Sequence, residues 1–209
     1  MYLFARTSTA KPDRVLEALA FATEIGAKVT SITGIEVRTW SAVYGAPINT
    51  ISWTTRVDSQ AAMGEAGEKL LADPGYLDSV AQASELFDGA PEDMLADIVA
   101  MAGNGGHSGE IASIVSAQVA GGKIAESMAW GVDMLNHVAG ITGRDGLFTR
   151  SMYGPWASVG WISLANTMDE VDAATAAMAS DPEYLTKVDS GSDLFLPGSG
   201  HQVLSRRIG

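Results

Sequence analysis

Cysteine is absent from the 209 residues. That excludes disulfides, thiolate metal sites and a cysteine nucleophile. No apolar run reaches the roughly 18 residues that a membrane-spanning helix needs. The start, Met1-Tyr2-Leu3-Phe4-Ala5-Arg6, lacks the basic segment and long apolar run of a signal peptide, so a cytoplasmic protein is expected. Basic residues are scarce, with 13 Lys and Arg against 25 Asp and Glu and a net charge of −12. Nucleic acid and anionic membrane surfaces are bound by neutralising phosphate, so neither is an expected partner. The acidity reads as solubility. The recognisable catalytic loops are missing too: no GxGxxG, Walker-type loop, HExxH or GxSxG occurs. Gly103-Asn104-Gly105-Gly106 lacks a lysine-serine/threonine ending and precedes a strand, so it reads as a linker.

What is present is a repeat. Ile32-Thr33-Gly34 and Tyr44-Gly45 recur 109 residues on, as Ile141-Thr142-Gly143 and Tyr153-Gly154. After one deletion the offset becomes 108, and Trp53 meets Trp161. Asp73-Pro74-Gly75-Tyr76-Leu77 then meets Asp181-Pro182-Glu183-Tyr184-Leu185, and Ser84-Glu85-Leu86-Phe87 meets Ser192-Asp193-Leu194-Phe195. This constant register is the mark of internal duplication. It divides the chain into repeats at 1–101 and 110–209 with a glycine-rich linker at 102–109.

Each repeat can therefore be read twice. A first strand at Tyr2–Thr9 corresponds to Ile111–Val119. Residues 11–30 carry Val15, Ala18, Leu19, Ala22, Ile25 and Val29 on one helical face, with Ser8-Thr9 and Pro12 as start signals. Ile35 to Trp40 alternates as a strand, Tyr-Gly-(Ala)-Pro makes a hairpin turn, and Ile48–Val57 is the third strand. A second helix spans 59–72. Asp73 and Asp181 cap a short extra helix that starts at proline. The last strands lie near 93–100 and 200–208. The order β-α-β-β-α-β, twice, is an α+β fold of tandem ferredoxin-like units. One sheet face of such a unit is bare and has to be buried.

On this element order, the Tyr-Gly-Pro hairpin and the tryptophan of strand three, the sequence resembles the dimeric α/β-barrel superfamily. That group includes antibiotic-biosynthesis-type monooxygenases, EthD-like, NIPSNAP-like and stress-responsive barrels. The resemblance covers nearly the whole chain and implies a pseudo-dimeric α/β barrel. It also implies sites that combine a polar group on the first strand with a tryptophan and a histidine. Thr7 or Ser116 would supply the first, and Trp53 or Trp161 the second. No histidine follows either tryptophan in the second helix.

The residues themselves offer few chemical groups. His107 falls in the linker and His201 at a strand start. His137 ends the second repeat's first helix, where a cation suits the helix dipole. A ligand role for His137, as base or haem ligand, is the sharper alternative; otherwise no cofactor and no metal are expected. Arg38 and Trp40 become Leu147 and Thr149 in the second repeat, while Thr39 and Ser41 become Phe148 and Arg150. A charge within an apolar strand needs a partner. Arg38 and Arg150 either close ion pairs with Glu36, Asp145 or Asp58, or anchor a ligand. The expected function is binding of a hydrophobic small molecule, in concrete form by a cofactor-independent monooxygenase, isomerase or cyclase. Arg38, Arg150, Ser116 and Tyr153 are its catalytic candidates; Thr7, Trp40, Trp53, Trp161 and His137 are its binding candidates. The alternative is a non-catalytic structural barrel that assembles into a homo-oligomer.

Overall fold

A computed structural model describes residues 1–103 and 108–209. Positions 104–107 of the expected linker, His107 among them, lie outside the described residues. The first half contains β1 (Tyr2–Ala10), α1 (Val15–Thr33), β2 (Arg38–Tyr44), β3 (Thr50–Val57), α2 (Gln60–Leu71), α3 (Pro74–Leu86) and β4 (Phe87–Ala102). The second contains β5 (Ile111–Gln118), α4 (Ile124–Thr142), β6 (Gly146–Tyr153), β7 (Ser158–Ala165), α5 (Met168–Ser180), α6 (Pro182–Ser190), a single 3₁₀ turn at Ser192–Leu194 and β8 (His201–Arg207). The eight strands close a barrel in the order β1-β3-β2-β8-β5-β7-β6-β4. Both halves thus run fourth, first, third, second strand. Contacts group Met1–Asp97 with Arg206–Gly209 as one unit and Ile98–Ser205 as the other. The chain's end joins the first unit through Ile208 N–H on the Thr39 carbonyl and Thr39 N–H on the Gly209 carbonyl, at 2.8 and 3.0 Å. Among the described residues, no helix is long and apolar enough to cross a membrane.

The elements follow from local chemistry, with corrections. The first helix starts at Val15, not at 11. Ser8 and Thr9 stay in the β1 ladder opposite Ile51 and Thr50. Residues 11–14 turn instead, with Arg14 N–H on the Lys11 carbonyl, and Arg14 makes no side-chain cap bond. Gly34 and Gly143 end the two long helices at φ of 78° and 67°, a left-handed conformation in which glycine has no Cβ to clash. The helix after Asp-Pro is not short in the first unit, where α3 runs 13 residues. The Asp73 carboxylate accepts from Tyr76 N–H at 2.7 Å, and Asp181 accepts from Tyr184 N–H at 2.6 Å. Strand β4 begins earlier than 93 because it also pairs with the far end of β1. The register jumps there from Thr7–Glu92 to Thr9–Asp88, so Gly89-Ala90-Pro91 bulge out.

One bond recurs in both units. The Trp53 indole N–H donates to the Ala22 carbonyl of α1 at 2.9 Å. Its counterpart Trp161 donates to the Gly131 carbonyl of α4, also at 2.9 Å. Each ties strand three to the middle of the first helix. Around the first lies a core of Ala10, Ala18, Ala22, Ile51, Leu86 and Phe87, and around the second one of Val119, Leu135, Phe148 and Val159.

The units fill the same helix–sheet layer with sizes exchanged. Ala22 and Thr39 in the first unit correspond to Gly131 and Phe148 in the second, where a Cβ at Gly131 would land on the Phe148 ring. Gly26 and Val37 correspond to Leu135 and Gly146, and a Cβ at Gly146 would come within 2.8 Å of Leu135 Cδ1. Phe21 and Ala83 correspond to Trp130 and Gly191, and a Cβ at Gly191 would sit 2.6 Å from the Trp130 ring. In every pair a gain on one side meets a loss on the other, as close packing requires.

Gly131→Ala is therefore expected to destabilise by about 1–3 kcal/mol through overpacking. Gly140→Ala, in the same helix with nothing within 4 Å, should be neutral or stabilise by up to about 1 kcal/mol. Thermal unfolding of the two variants measures the difference.

Candidate functional site

In the first unit the layer is packed only as far as the Trp53 anchor. Ala18 and Ala22, on the N-terminal half of α1, are fully buried. Beyond the anchor, Ile25, Gly26, Val29 and Thr33 face a cavity of about 520 Å³. Its floor is the helix-facing side of the sheet, Phe4, Arg6 and Ser8 from β1 and Trp53 from β3. Its walls include Met63 and Leu70 of α2 and Tyr76, Val80 and Ala83 of α3. The volume lies within the range of small-molecule sites, and the lining is mostly apolar, as such sites are.

The one charged side chain in the lining, among the described residues, is Arg6. The Arg6 guanidinium donates twice to Asp93, directly opposite on β4, with Nε and Nη2 each 2.7 Å from a carboxylate oxygen. This fork raises the Arg6 pKa above its usual value, and Tyr76 beside it adds to the effect. The two side chains stay 40% and 45% exposed, so the pair stands at the mouth. Gly89 and Pro91 of the β4 bulge also line the cavity, with Gly89 at a φ of 67°.

The matching stretch of α4 is packed. Met134 and Leu135, the counterparts of Ile25 and Gly26, are buried. Trp130 crosses toward α6, donates to the Lys187 carbonyl at 3.1 Å and meets Trp161 and Phe195 edge-on. Phe148 stacks on Trp161 with centroids 5.0 Å apart.

Of the residues selected from sequence, Trp53 lines the cavity. Thr7 points to the opposite face of β1 and shares a hydrogen bond with Ser52 at 3.1 Å. Trp40 is buried there too, donating to Thr54 Oγ1 at 2.8 Å. Arg38 bonds Glu36, Nε to Oε1 at 2.9 Å, which holds Glu36 below the usual carboxylate range. The others belong to the second unit. Ser116 pairs with Gly160 in the ladder. Arg150 lies opposite Val159, its Nη2 4.0 Å from Met152 Sδ. Tyr153 is exposed at the hairpin. Trp161 is held among rings. His137 Nε2 meets Asp181 Oδ1 at 3.1 Å. The Tyr184 amide, and then His137, keep Asp181 below its usual pKa. Lys28, at the matching position of α1, likewise binds the Gly75 carbonyl and Ser79 Oγ at the start of α3. Both side chains thus tie the first helix to the start of the third. Among the described residues, no three His, Cys, Asp or Glu groups come together as a metal ligand set.

Sequence reasoning missed Arg6, Tyr76 and Gly26. The signal for Arg6 and Gly26 was their repeat counterparts, Val115 and Leu135. Tyr76 was visible only as part of a capping motif.

No family model and no curated protein matches this sequence. Solved structures do. A Fusobacterium nucleatum protein described provisionally as a monooxygenase superposes with a TM-score of 0.75 at 9% identity, covering 100% of this chain and 92% of the other. A Lactobacillus acidophilus protein of like description gives 0.70 at 9%, covering 100% and 94%. An anthrone oxidase-like protein gives 0.63 at 15%, covering 100% and 93%. The fold is that of the dimeric α/β-barrel proteins, here completed within one chain.

Gly67 lines the cavity, and a Cβ there would meet nothing within 4 Å. Gly67→Phe is expected to fill the space while leaving the melting temperature unchanged or raised, since phenylalanine is a better helix residue than glycine. Calorimetry together with a crystal structure of the variant tests this.

Proposed function

We propose that this protein binds a hydrophobic small molecule in the cavity of its first half, between α1, α2, α3 and the sheet. The carrying observation is the apolar chamber of about 520 Å³, which opens where the counterpart helix α4 is packed. A duplicated chain, with repeats at 1–101 and 110–209 joined through 102–109, suits this division. One copy carries the ligand and the other carries the fold.

The catalytic form of the proposal is a cofactor-independent monooxygenase, isomerase or cyclase. The names of two neighbours, provisional monooxygenases, favour the first. Positioning would carry the chemistry: Trp53 forms part of the floor, while Arg6 and Tyr76 offer hydrogen bonds to a substrate oxygen. These two take the polar role that sequence reasoning gave to Arg38, Arg150, Ser116 and Tyr153. No histidine lines the cavity among the described residues, so haem has no imidazole ligand there.

A second reading, assembly into a homo-oligomer, is favoured by the hairpin tips, where Ile48 is 85% and Trp156 83% exposed. Light scattering of the wild type and of Ile48→Ser/Trp156→Ser separates the two. Loss of an oligomer supports assembly; an unchanged mass opposes it.

The binding proposal predicts saturable fluorescence enhancement of N-phenylnaphthylamine by the wild type at one site per chain. Gly67→Phe should weaken it by about tenfold or more, equivalent to about 1.4 kcal/mol. Equal binding by the variant contradicts the proposal.

A further inference from the structure

We infer that the ligand of this cavity is uncharged: an apolar body with a single oxygen that accepts a hydrogen bond at the mouth. The inference rests on the cavity being a binding site and concerns which chemistry it admits. Among the described residues, Arg6 is the one charged side chain in the lining. Its charge is already paired, because both carboxylate oxygens of Asp93 receive N–H groups from it, while its other N–H groups stay available. A ligand carboxylate, sulfate or phosphate would have to displace that fork or lie beside Asp93, and like charges at short range repel. Further acid surrounds the same edge. Asp88 and Glu92 flank the bulge of β4, and both are exposed. The protein as a whole carries a net charge of −12.

A cationic head finds no carboxylate in the lining to pair with, because Asp93 is held by Arg6 and the other polar groups are hydroxyls, those of Ser8, Thr33, Thr54, Thr55, Tyr76 and Ser84. Burying an unpaired charge against such a wall is unfavourable, whereas a carbonyl or hydroxyl oxygen needs only one donor. Arg6 and Tyr76 both stand where they can supply it. The guanidinium is held in place by its bond to Asp93, so the donor is already oriented before the ligand arrives.

The test uses full-length protein and three ligands of equal chain length: decanol, decanoate and decylamine, each competing with N-phenylnaphthylamine. Decanol should displace the probe most effectively. Asp93→Asn frees the guanidinium, so decanoate should gain about fivefold, the scale of a partly exposed charge pair, while decanol stays within about twofold. Arg6→Met keeps an apolar stem and should abolish the decanoate gain in the double variant. Decanoate or decylamine binding the wild type as well as decanol does, or an Asp93→Asn variant indifferent to decanoate, overturns the inference while leaving the cavity a binding site. Failure of the wild type to bind the probe at all overturns both.

Discussion

The indole–carbonyl bond from strand three to the first helix is the constraint from which the rest follows. It acts at one point along a helix of 19 residues. On the N-terminal side of that point the first unit closes: Ala18 and Ala22 are small enough for α1 to lie on the sheet, and Phe87 and Ile51 complete the contact. On the C-terminal side Lys28 ties the helix to α3 and Thr30 accepts from Val37 N–H, while Gly26 offers no side chain to fill the gap. Removing a side chain there leaves either a collapse or a void. Here the space stays open, as a cavity of about 520 Å³. The cavity is thus what the sheet, the pinned helix and two further helices cannot fill with the residues they have.

The second unit applies the same anchor to different volumes. Gly131 admits the Phe148 ring under the helix, Leu135 takes the space beside Gly146, and Trp130 reaches into the place left by Gly191. These exchanges keep the layer close-packed although none of the six exchanged positions keeps its size. They also explain why the two halves share a fold while their helix faces diverge: the backbone frame tolerates any pairing whose total volume suits it.

Element order, the hairpins and the Asp-Pro caps were readable from the sequence, because each has a local cause that appears in both halves of the chain. The exchange of Thr39 for Phe148 was readable as well, but its meaning was not. That depends on knowing that position 39 faces position 22, a contact between a strand and a helix 17 residues apart. The mouth was hidden for a similar reason. Arg6 and Asp93 are 87 residues apart and meet only because β4 returns beside β1. Thr7 was chosen over Arg6 from the first strand, and alternation then sends the two to opposite faces. Arg38, a charge in a strand, proved to have its carboxylate two residues away in Glu36.

A crystal structure of the protein grown with N-phenylnaphthylamine decides whether the first half carries a ligand over Trp53 and the second does not. One probe molecule per chain is expected, bounded by α1, α3 and the Trp53 ring. Density for the probe among Trp130, Trp161 and Phe195, or only at the exposed hairpins, would contradict it.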